Sequence, residues 1–350
     1  MRHPVIEDDL TSIVSAPLPW QELSGKTIVV SGAGGMLPAY MVETLLFLNE
    51  TVPGQRVKVV ALVRNGDKAM RRFTHYRGRS DLLVLVQDVC CPVTVDFPVD
   101  IIIHAASQAS PKYYGVDPVG TLTANVIGTY NMLELARRIA CKSVLFFSSG
   151  EVYGTANSSG IPVREDCYGA VDPLDIRACY PESKRMGETM CMSWMRQYGI
   201  AAKIVRPFHT YGPGMSLDDG RVFADFVAAV VNGTPLRLNS SGEAKRVFCY
   251  LSDATQAFFT VLLKGENGQA YNVANPSAEI SVAGLADLLV SLFPEKKLAV
   301  LKKPVYSELA SKTPQTLPDI TKITELGWRP NTGLAPGFRR TVESFTDLGS

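Results

Sequence analysis

The most constraining feature of the sequence is the alternation of short β-branched runs with longer stretches of helical periodicity. Six apolar runs predict strands: Thr27–Ser31, Val57–Val63, Leu83–Gln87, Ile101–His104, Val144–Ser148 and Ala202–Arg206. Helical periodicity is found in residues 38–49, 67–76, 118–139, 181–198, 220–232 and 252–264. Strands this apolar are buried on both faces, so the pattern predicts an α/β fold with a parallel sheet covered by helices on both sides.

The composition is that of an ordinary globular protein and argues against several functional classes. A formal net charge of +1 gives no indication of nucleic-acid or membrane-surface binding. No apolar run approaches the roughly 20 residues of a membrane span. Seven cysteines without CxxC spacing and four scattered histidines predict free thiols and no metal site. The N-terminus lacks the apolar core of a signal peptide, so we expect a cytoplasmic protein.

A glycine cluster, TIVVSGAGGMLP in residues 27–38, separates the first strand from the first helix. Glycines there allow a tight turn and a close approach to a pyrophosphate, which the helix N-terminus stabilises. The cluster therefore predicts a Rossmann-type doubly wound sheet that binds a dinucleotide. Pro38 replaces the last glycine of the usual spacing, which puts tight packing of the helix on the sheet in doubt.

The residues after the second strand leave the choice of dinucleotide open. Arg64 and Asn65 stand where many dinucleotide folds carry an acidic residue for the ribose 2′-OH. Arginine could instead accept a 2′-phosphate or stack on adenine, or it could belong to a solvated helix face. We expect NAD, with NADP as an alternative.

Beyond residue 206, glycine and proline become more frequent and the predicted strands shorter (Pro235–Leu238 and Ala270–Val273). This change predicts a smaller α/β substrate-binding lobe over the carboxyl ends of the sheet. Residues 25–206 are expected to form mainly the dinucleotide-binding domain. Residues 207–350 are expected to form mainly the lobe, interleaved with the first domain, and residues 1–24 are an N-terminal extension.

Tyr180 and Lys184, within CYPESKRMGE, are four residues apart on a predicted helix and therefore share one face. An ammonium beside a phenol lowers the pKa of the phenol, which helps it to act as a base near neutral pH. Ser149, at the end of the preceding strand, could hold the same substrate hydroxyl. A Tyr-x-x-x-Lys pair recurs by chance, but its combination with a glycine turn and a strand-end serine is specific.

Further motifs follow in order along residues 25–346: SGAGG, QDV, IIHAAS, NVIGT, SSGEVYG, YPESK, RPFHTYGPG, DDGRVFADFV, RVFCYLSD, YNVANP and PDITKITELGWRP. With these motifs the chain resembles the extended short-chain dehydrogenase/reductase family, in its nucleotide-sugar epimerase/dehydratase branch. The resemblance implies an NAD(P)-dependent enzyme that acts on a nucleotide-diphosphate sugar. It also implies that hydride passes from sugar C4 to the nicotinamide.

The resemblance implies roles for individual residues at the cofactor. Tyr180 would remove the proton of the sugar 4-OH, and Lys184 would orient the nicotinamide ribose. Asn125 would support the catalytic helix from its neighbour. The residues expected to bind the cofactor are Gly32, Gly35, Met36, Leu37, Arg64, Asp88, Val89, Ala105, Ala106, Asn125, Tyr180 and Lys184.

The substrate side is expected to be formed by both parts of the chain. Arg221 and Arg246 are candidate cations for the nucleotide diphosphate. His209 occupies a position where many members of the resembled family have asparagine, which implies a changed substrate contact. The residues expected to bind the substrate are Ser107, Ser149, Gly150, Glu151, His209, Arg221 and Arg246.

Glu151 is the residue on which the choice of reaction depends. In the resembled family, dehydratases carry Asp-Glu at positions 150 and 151. Uronate decarboxylases carry Ser-Glu there and an arginine two residues before the proline of the late Pro-Asp-Ile motif, whereas simple 4-epimerases have small uncharged residues at both positions. This chain has Gly150 before Glu151, and Thr316 two residues before Pro318. It therefore lacks the distinguishing groups of both the dehydratases and the decarboxylases.

These departures slightly favour a 4-epimerase, since epimerisation requires only the tyrosine, the lysine and the nicotinamide. A UDP-glucuronate decarboxylase or a 4,6-dehydratase that uses Glu151 remains the alternative, and DDGRVFADFV is most similar to the decarboxylases. Glu151 could also be a structural residue bonded to backbone amides.

Two other functional classes stay open. The first is a non-catalytic dinucleotide-binding sensor, although both Tyr180 and Lys184 are present. The second is a net reductase that consumes NADPH, which Arg64 keeps possible. The resemblance also implies a homodimer, formed when the helices predicted at 118–139 and 181–198 pair in a four-helix bundle.

Overall fold

The computed structural model of the protein describes residues 2–155, 161–302 and 316–346. The strands are β1 (Thr27–Ser31), β2 (Lys58–Val63), β3 (Leu82–Val86), β4 (Ile101–His104), β5 (Ser143–Phe147), β6 (Ala202–Pro207), β7 (His209–Tyr211), β8 (Leu236–Leu238), β9 (Lys245–Tyr250), β10 (Ala270–Val273), β11 (Glu279–Ser281) and β12 (Val300–Lys302). The helices are α1 (Pro4–Val14), α2 (Met36–Thr51), α3 (Gly66–Arg72), α4 (Pro118–Arg138), α5 (Cys179–Tyr198), α6 (Val222–Asn232), α7 (Leu251–Lys264), α8 (Val282–Leu292), α9 (Thr321–Glu325) and α10 (Leu334–Glu343).

Seven strands form one sheet in the order β10-β6-β5-β4-β1-β2-β3. Every neighbouring pair in this sheet is parallel. The order reverses direction between β1 and β4, which is the switch point at which Rossmann-type folds bind their ligands. The predicted fold class is confirmed.

Helices cover both faces of this sheet because its strands are apolar on both sides. Ile28 and Val30 of β1 pack in the core beneath α2 and α7, while Val29 between them packs in the core beneath α4 and α5. Successive side chains of a strand point to opposite faces, so one β-branched run contributes to two cores. Burial on both faces explains why residues 28–30 of this strand are all apolar.

The smaller lobe has its own core and its own sheets. Strands β11, β9 and β7 form one sheet, and β12 pairs with β8. Helices α6, α8 and α10 pack with these strands around a third core, where Tyr211 stacks on Phe338 with ring centroids 4.0 Å apart. Strand β10 lies between lobe elements in sequence but pairs with β6 of the main sheet. The division at residues 206 and 207 stays a prediction.

The N-terminal extension contains a helix that joins the two parts of the molecule. Helix α1 packs against α2 and α7. Its buried Asp9 accepts hydrogen bonds from Tyr40 of α2 and Tyr250 of β9, at 3.1 and 2.9 Å, and from Arg340 of α10 at 2.7 Å. The carboxylate of Asp9 therefore connects a helix of the main sheet with two elements of the lobe.

Element boundaries differ from the sequence prediction where side chains compete for backbone groups. Strand β2 begins at Lys58, one residue late, because Asn49 binds both the N–H and the carbonyl of Val57 at 2.8 Å. Helix α5 begins at Cys179, two residues early, so Tyr180 lies in its first turn. Strands β7, β11 and β12 are three residues each, too short for a periodic signal.

Candidate active site

A cleft of about 1630 Å³ lies at the carboxyl ends of the parallel strands, between the main sheet and the lobe. The loops that follow β1, β2, β3, β4, β5 and β6 all contribute to its wall. Every site residue predicted from the sequence lines this cleft except Asn125. A concave site at this edge of a parallel sheet is where such folds bind nucleotides.

The glycine turn after β1 forms one end of the cleft. Gly32 has a φ of +69°, and a β-carbon there would lie 2.7 Å from the Cα of Ala106. Both facts restrict the position to glycine. Gly35 precedes α2, and no side chain caps the N-terminus of this 16-residue helix. The amides of its first turn therefore remain available to an anionic group, as a bound pyrophosphate requires.

Pro38 does not loosen the packing of α2, although its replacement of a glycine made that a concern. It is buried in the first turn of the helix, where a backbone N–H has no partner within the helix in any case. The next residues, Ala39 and Tyr40, are fully buried against the sheet. Helix α2 is therefore closely packed on the sheet at Pro38.

The wall after β4 contains an unsatisfied polar group. Ala105 and Ala106 donate their backbone N–H groups to the hydroxyl of Ser31, at 3.2 and 3.3 Å. The next residue, Ser107, has a buried hydroxyl with no hydrogen-bond partner in the described part of the chain. Buried polar atoms are nearly always bonded, so an orphaned hydroxyl in a cleft is expected to bind a ligand atom.

Tyr180 and Lys184 both line the cleft and are both buried. The Nζ of Lys184 donates a hydrogen bond to the carbonyl of Phe147 at 2.7 Å and lies 5.8 Å from the centre of the Tyr180 ring. Burial lowers the pKa of Lys184 to about 7, and the charge of Glu188 offsets part of this effect. The ammonium is thus held by the end of β5 rather than by the phenol.

Burial raises the pKa of Tyr180 to about 12, and the charge of Glu151 adds to the rise. Hydrogen bonding with Ser149 and the charge of Arg221 act in the opposite direction. The net shift of this pKa is therefore upward, and the prediction that Lys184 lowers the pKa of the phenol stays a prediction. The desolvation of Tyr180 is the larger effect, and Lys184 is directed at the Phe147 carbonyl.

The ring of Tyr180 is held in place by a second tyrosine that the sequence analysis missed. Tyr114 stacks on Tyr180 with ring centroids 5.0 Å apart and an interplanar angle of 17°. The hydroxyl of Tyr114 donates to the carbonyl of Ala109 at 3.1 Å. Tyr114 lies in a loop without strand or helix periodicity, so no sequence signal indicated its position.

Ser149 and Glu151 lie together at the end of β5. The hydroxyl of Ser149 accepts the backbone N–H of Glu151 at 3.1 Å and begins a short 3₁₀ turn over Gly150–Tyr153. The carboxylate of Glu151 lines the cleft and accepts no hydrogen bond from the described residues. The alternative that Glu151 is a structural residue bonded to backbone amides finds no support in these contacts.

The electrostatic surroundings of Glu151 include a cation that the sequence analysis missed. Burial raises the pKa of Glu151, and the charges of Arg221 and Arg177 oppose the rise. Arg177 lines the cleft, and its guanidinium lies 5.9 Å from the centre of the Tyr114 ring. Its side chain forms no ion pair with any carboxylate in the described ranges. The only sequence feature that could have indicated Arg177 as a site residue is its position three residues before Tyr180.

Gly150 is in contact with an aromatic wall. A β-carbon at this position would lie 2.8 Å from two ring carbons of Phe208, closer than real β-carbon contacts. Phe208 stacks on Tyr153, whose hydroxyl donates to Asn272 at 2.6 Å and accepts from Arg206 at 2.8 Å. Tyr153 is therefore held by a buried polar network, and position 150 can accept a side chain only if the Phe208 ring stacked on Tyr153 shifts.

The two arginines predicted to bind a diphosphate differ in their surroundings. Arg221 forms an ion pair with Asp219 at 3.1 Å and also donates to the carbonyl of Ala109. Arg246 donates to the carbonyl of Lys245 at 2.7 Å and, within the described residues, pairs with no carboxylate. Both arginines line the cleft. Of the two, Arg246 is the better candidate to bind an anionic ligand, because no described carboxylate neutralises its charge.

His209 lines the cleft between these arginines, and its ring lies 5.9 Å from that of Phe248. Burial lowers the pKa of His209 to about 3, and the charges of Arg221 and Arg246 contribute to the decrease. The imidazole therefore stays neutral at physiological pH. It can offer a ligand one donor and one acceptor, whereas a protonated imidazole would offer two donors.

Asn125 is the predicted cofactor residue that the structure places elsewhere. It is buried on α4, behind the catalytic helix, and its Nδ2 donates to the hydroxyl of Ser183 at 2.8 Å. That hydroxyl donates in turn to the carbonyl of Tyr180 at 2.9 Å. Asn125 is thus absent from the cleft wall, and a direct contact with a cofactor stays a prediction. Its contact with α5 corresponds to the supporting role that the resemblance implied.

Within residues 2–155, 161–302 and 316–346, no group of histidine, cysteine or carboxylate side chains is arranged to hold a metal ion. The same part of the chain contains no helix that is both long enough and apolar enough to cross a membrane.

The switch-point cleft, the glycine turn and the buried Tyr180–Lys184 pair define a Rossmann-fold protein of the short-chain dehydrogenase/reductase class. A family model described as the NAD dependent epimerase/dehydratase family matches residues 28–274. The chain belongs to this family, which confirms the resemblance identified from its motifs. It is therefore an enzyme, and the alternative of a non-catalytic sensor is not supported.

Known relatives span almost the whole chain. UDP-glucuronic acid decarboxylase 6 of Arabidopsis thaliana is 34% identical over 327 residues, covering 92% of this chain and 89% of that protein. UDP-glucose 4-epimerase of Thermotoga maritima, solved with UDP-glucose, is 23% identical with a TM-score of 0.76, covering 91% and 98% of the two chains. UDP-glucuronic acid 4-epimerase of Bacillus cereus, solved with UDP-glucuronic acid and NAD, is 21% identical with the same TM-score and coverage. At these identities the two solved structures show a shared fold.

Proposed function

We propose that this protein binds NAD and a UDP-linked sugar in its cleft and epimerises the sugar at C4 through a transient 4-keto intermediate. The proposal is supported by family membership and by the buried Tyr180–Lys184 pair beside the glycine turn. The relatives above act on UDP-sugars, which supports uridine diphosphate as the carrier.

The residues of the cleft fit a dinucleotide. Gly32 allows a close approach at the turn, and the uncapped amides of α2 suit a pyrophosphate. The orphaned hydroxyl of Ser107 offers a further hydrogen bond. When bound, the nicotinamide supplies a hydride acceptor and donor. Tyr180 takes the proton of the sugar 4-OH and later returns it, and Lys184 fixes the reacting groups from the end of β5.

The preference for epimerisation over dehydration or decarboxylation is inferred from one observation, the contact of Phe208 with Gly150. Loss of the 6-OH or of a C6 carboxylate in the resembled enzymes involves a polar side chain at position 150. Phe208 occupies the space that such a side chain would need. Epimerisation requires no group there, because the keto sugar only has to rotate so that hydride returns to its opposite face.

Decarboxylation of UDP-glucuronate is the second candidate, and a specific pair of residues favours it. Glu151 has a carboxylate free to act near C5, and Arg177 beside it has a guanidinium free to bind a C6 carboxylate. Arg177 would then replace the arginine that is missing at Thr316, which also lines the cleft. The 34% identity to a UDP-glucuronic acid decarboxylase points the same way.

Product analysis distinguishes these reactions. The purified enzyme would be incubated with UDP-glucose, UDP-glucuronate and dTDP-glucose in separate reactions, and the sugars followed by ¹H NMR. We expect a 4-epimer that keeps all six carbons and the oxygen at C6. Release of carbon dioxide with a pentose product, or formation of a 6-deoxy-4-keto sugar, would overturn the proposal of an epimerase.

We further propose that the enzyme is a cytoplasmic homodimer, formed through α4 and α5. The support is a set of exposed apolar side chains on these helices: Val119, Leu122, Ile127, Tyr130 and Met186. Light scattering after size exclusion should give twice the 38.1 kDa mass of the chain. The double variant Leu122→Glu/Tyr130→Glu should be a monomer, and a wild-type monomer would contradict the proposal.

A further inference from the structure

A carboxylate lies behind the catalytic pair, one helical turn after Lys184. Glu188 follows Lys184 by four residues on α5, so the two side chains share one face of the helix. The side chain of Glu188 is only 15% exposed, and it does not line the cleft. Any effect of Glu188 on a bound ligand therefore acts through another residue.

The carboxylate of Glu188 is fixed from the ends of two strands. Arg206 of β6 binds both of its oxygens, with Nε 2.8 Å from Oε1 and Nη2 2.7 Å from Oε2. Ser148, which follows β5, donates its hydroxyl to Oε1. Arg206 donates in turn to the hydroxyl of Tyr153 at 2.8 Å and to the carbonyl of Glu165 at 2.9 Å. The negative charge of Glu188 is thus held at a defined position behind the catalytic helix.

The protonation of Lys184 is finely balanced. In the described part of the chain Lys184 forms no ion pair, and its Nζ donates to the carbonyl of Phe147 at 2.7 Å. An ammonium has three N–H donors, so two remain for ligand atoms in the cleft, whereas a neutral amine would keep one. Burial lowers the pKa of Lys184 to about 7, and the charge of Glu188 opposes this effect. If that pKa were lower by one, the protonated fraction at pH 7 would fall from about one half to about one tenth.

Three other titratable groups lie near Lys184, and all are neutral near pH 7. Burial raises the pKa of the Tyr180 phenol and of the Cys191 thiol, both on α5. Burial lowers the pKa of His104 on β4 to about 3, and the charge of Lys184 contributes to the decrease. Among these neighbours, Glu188 is therefore the one that brings a negative charge to Lys184.

We propose that Glu188 is a positioning residue for the reaction, which keeps Lys184 protonated and so lets its ammonium bind the cofactor. Arg206 and Ser148 contribute by fixing the carboxylate. The inference rests on the proposed function only in that Lys184 is used as an ammonium. It adds a residue outside the cleft to those on which the reaction depends.

The protonation of Lys184 can be titrated without any turnover. The enzyme would be labelled with ¹³C at the lysine ε-carbons and followed by NMR from pH 5 to pH 10, with Lys184→Met to assign the signal. Glu188→Gln keeps the size of the side chain and removes its charge, so we expect the midpoint of Lys184 to fall by roughly one to two pH units. Glu188→Asp keeps the charge and should leave the midpoint close to that of the wild type.

Activity should follow the protonated fraction of Lys184. We expect Glu188→Gln to lower kcat at pH 7 by about fivefold or more, and the loss to become smaller at pH 6, where more of Lys184 is protonated. Glu188→Asp should restore most of the activity. A purely structural role would lower stability without this dependence on pH, so a loss of kcat that is the same at both pH values would contradict the proposal.

Glu182→Gln is the matched control. Glu182 is a half-buried carboxylate on the same helix that pairs with Arg185 at 3.2 Å, but it lies two residues before Lys184 and does not face it. Its removal should leave the midpoint of Lys184 unchanged, and a decrease equal to that in Glu188→Gln would overturn the inference.

A second variant covers the case in which Glu188→Gln does not fold. Glu188→Met/Arg206→Met removes the ion pair as a unit, an exchange that is often close to neutral for stability, and it should also lower the midpoint of Lys184. An unchanged midpoint in either variant, or a wild-type midpoint below pH 6, would overturn the inference. Absence of turnover with UDP-sugars would count against the proposed function instead, because the NMR titration does not depend on it.

Discussion

The ring of Phe208 lies against Gly150 so closely that a β-carbon at position 150 would come within 2.8 Å of two ring carbons. Phe208 cannot easily withdraw, because it stacks on Tyr153 and its backbone N–H donates to the carbonyl of Val273 at 3.1 Å. This contact joins the loop after β5 to the loop after β6. It makes the shape of the cleft wall at Gly150 depend on a residue far away in sequence.

Gly150→Ser is expected to destabilise the protein rather than to create a new activity. Overpacking of this kind costs about 1–3 kcal/mol, and thermal unfolding with kcat/KM measurements would detect it. Gly115→Ser is the control, since a β-carbon at Gly115 would meet no atom within 4 Å. The double variant Gly150→Ser/Phe208→Ala should lose less unfolding free energy than the two single variants lose together. Strict additivity would show that the two residues are not coupled.

Tyr180→Phe is expected to lower kcat by about 100-fold to 10,000-fold, because general acid–base catalysis contributes that much. Binding of NAD and of UDP should change little, since the ring keeps its stacking on Tyr114. Tyr168→Phe serves as the control, because Tyr168 is exposed and outside the cleft. Activity of Tyr180→Phe near the wild-type value would show that another group takes the proton.

The sequence predicted the sheet, the switch-point cleft and most residues of its wall, because strand ends and glycine turns are local features. It did not predict the contact of Phe208 with Gly150 or the stacking of Tyr114 on Tyr180, since both depend on how loops meet. It also did not predict the net upward shift in the pKa of Tyr180, for the same reason. Desolvation depends on everything packed around a group, whereas the i, i+4 spacing to Lys184 describes one neighbour only.

Glu151→Gln separates the two proposed reactions. Epimerisation at C4 needs no carboxylate at this position, so we expect the variant to retain UDP-glucose epimerisation within about tenfold of the wild type. A decarboxylase that uses Glu151 as a base should instead lose about 100-fold or more with UDP-glucuronate. Both rates can be followed by ¹H NMR on the same preparation. Glu182→Gln is the control, because Glu182 is a half-buried carboxylate on α5 that lies outside the cleft. A 100-fold loss of epimerisation would contradict the simple epimerase mechanism.

Lys184 should make stability rise with pH. Its pKa is lowered to about 7 in the folded protein, from a usual value of 10.5. Between these values the unfolded chain binds the extra proton, so the free energy of unfolding increases by up to about 1.4 kcal/mol per pH unit. Urea unfolding of the wild type and of Lys184→Met at pH 7 and pH 9 isolates this contribution. The unfolding free energy of the wild type should increase relative to that of the variant between pH 7 and pH 9. If the difference between the two proteins is the same at both pH values, the ammonium is not desolvated.

Asp9 should be the most sensitive residue of the N-terminal helix. Its carboxylate is buried among Tyr40, Tyr250 and Arg340, and the ion pair with Arg340 is 2.7 Å long. Asp9→Ala leaves this half-buried arginine and two tyrosine hydroxyls without their partner, and the cost should approach the roughly 3–5 kcal/mol of a broken buried pair. Asp8→Ala is the control, because Asp8 is exposed and lies 3.6 Å from the same arginine, so its loss should cost about 0–1 kcal/mol. Urea unfolding measures both values. Equal effects of the two variants would mean that α1 contributes by apolar packing alone, and the polar link between the main sheet and the lobe would then carry no stability.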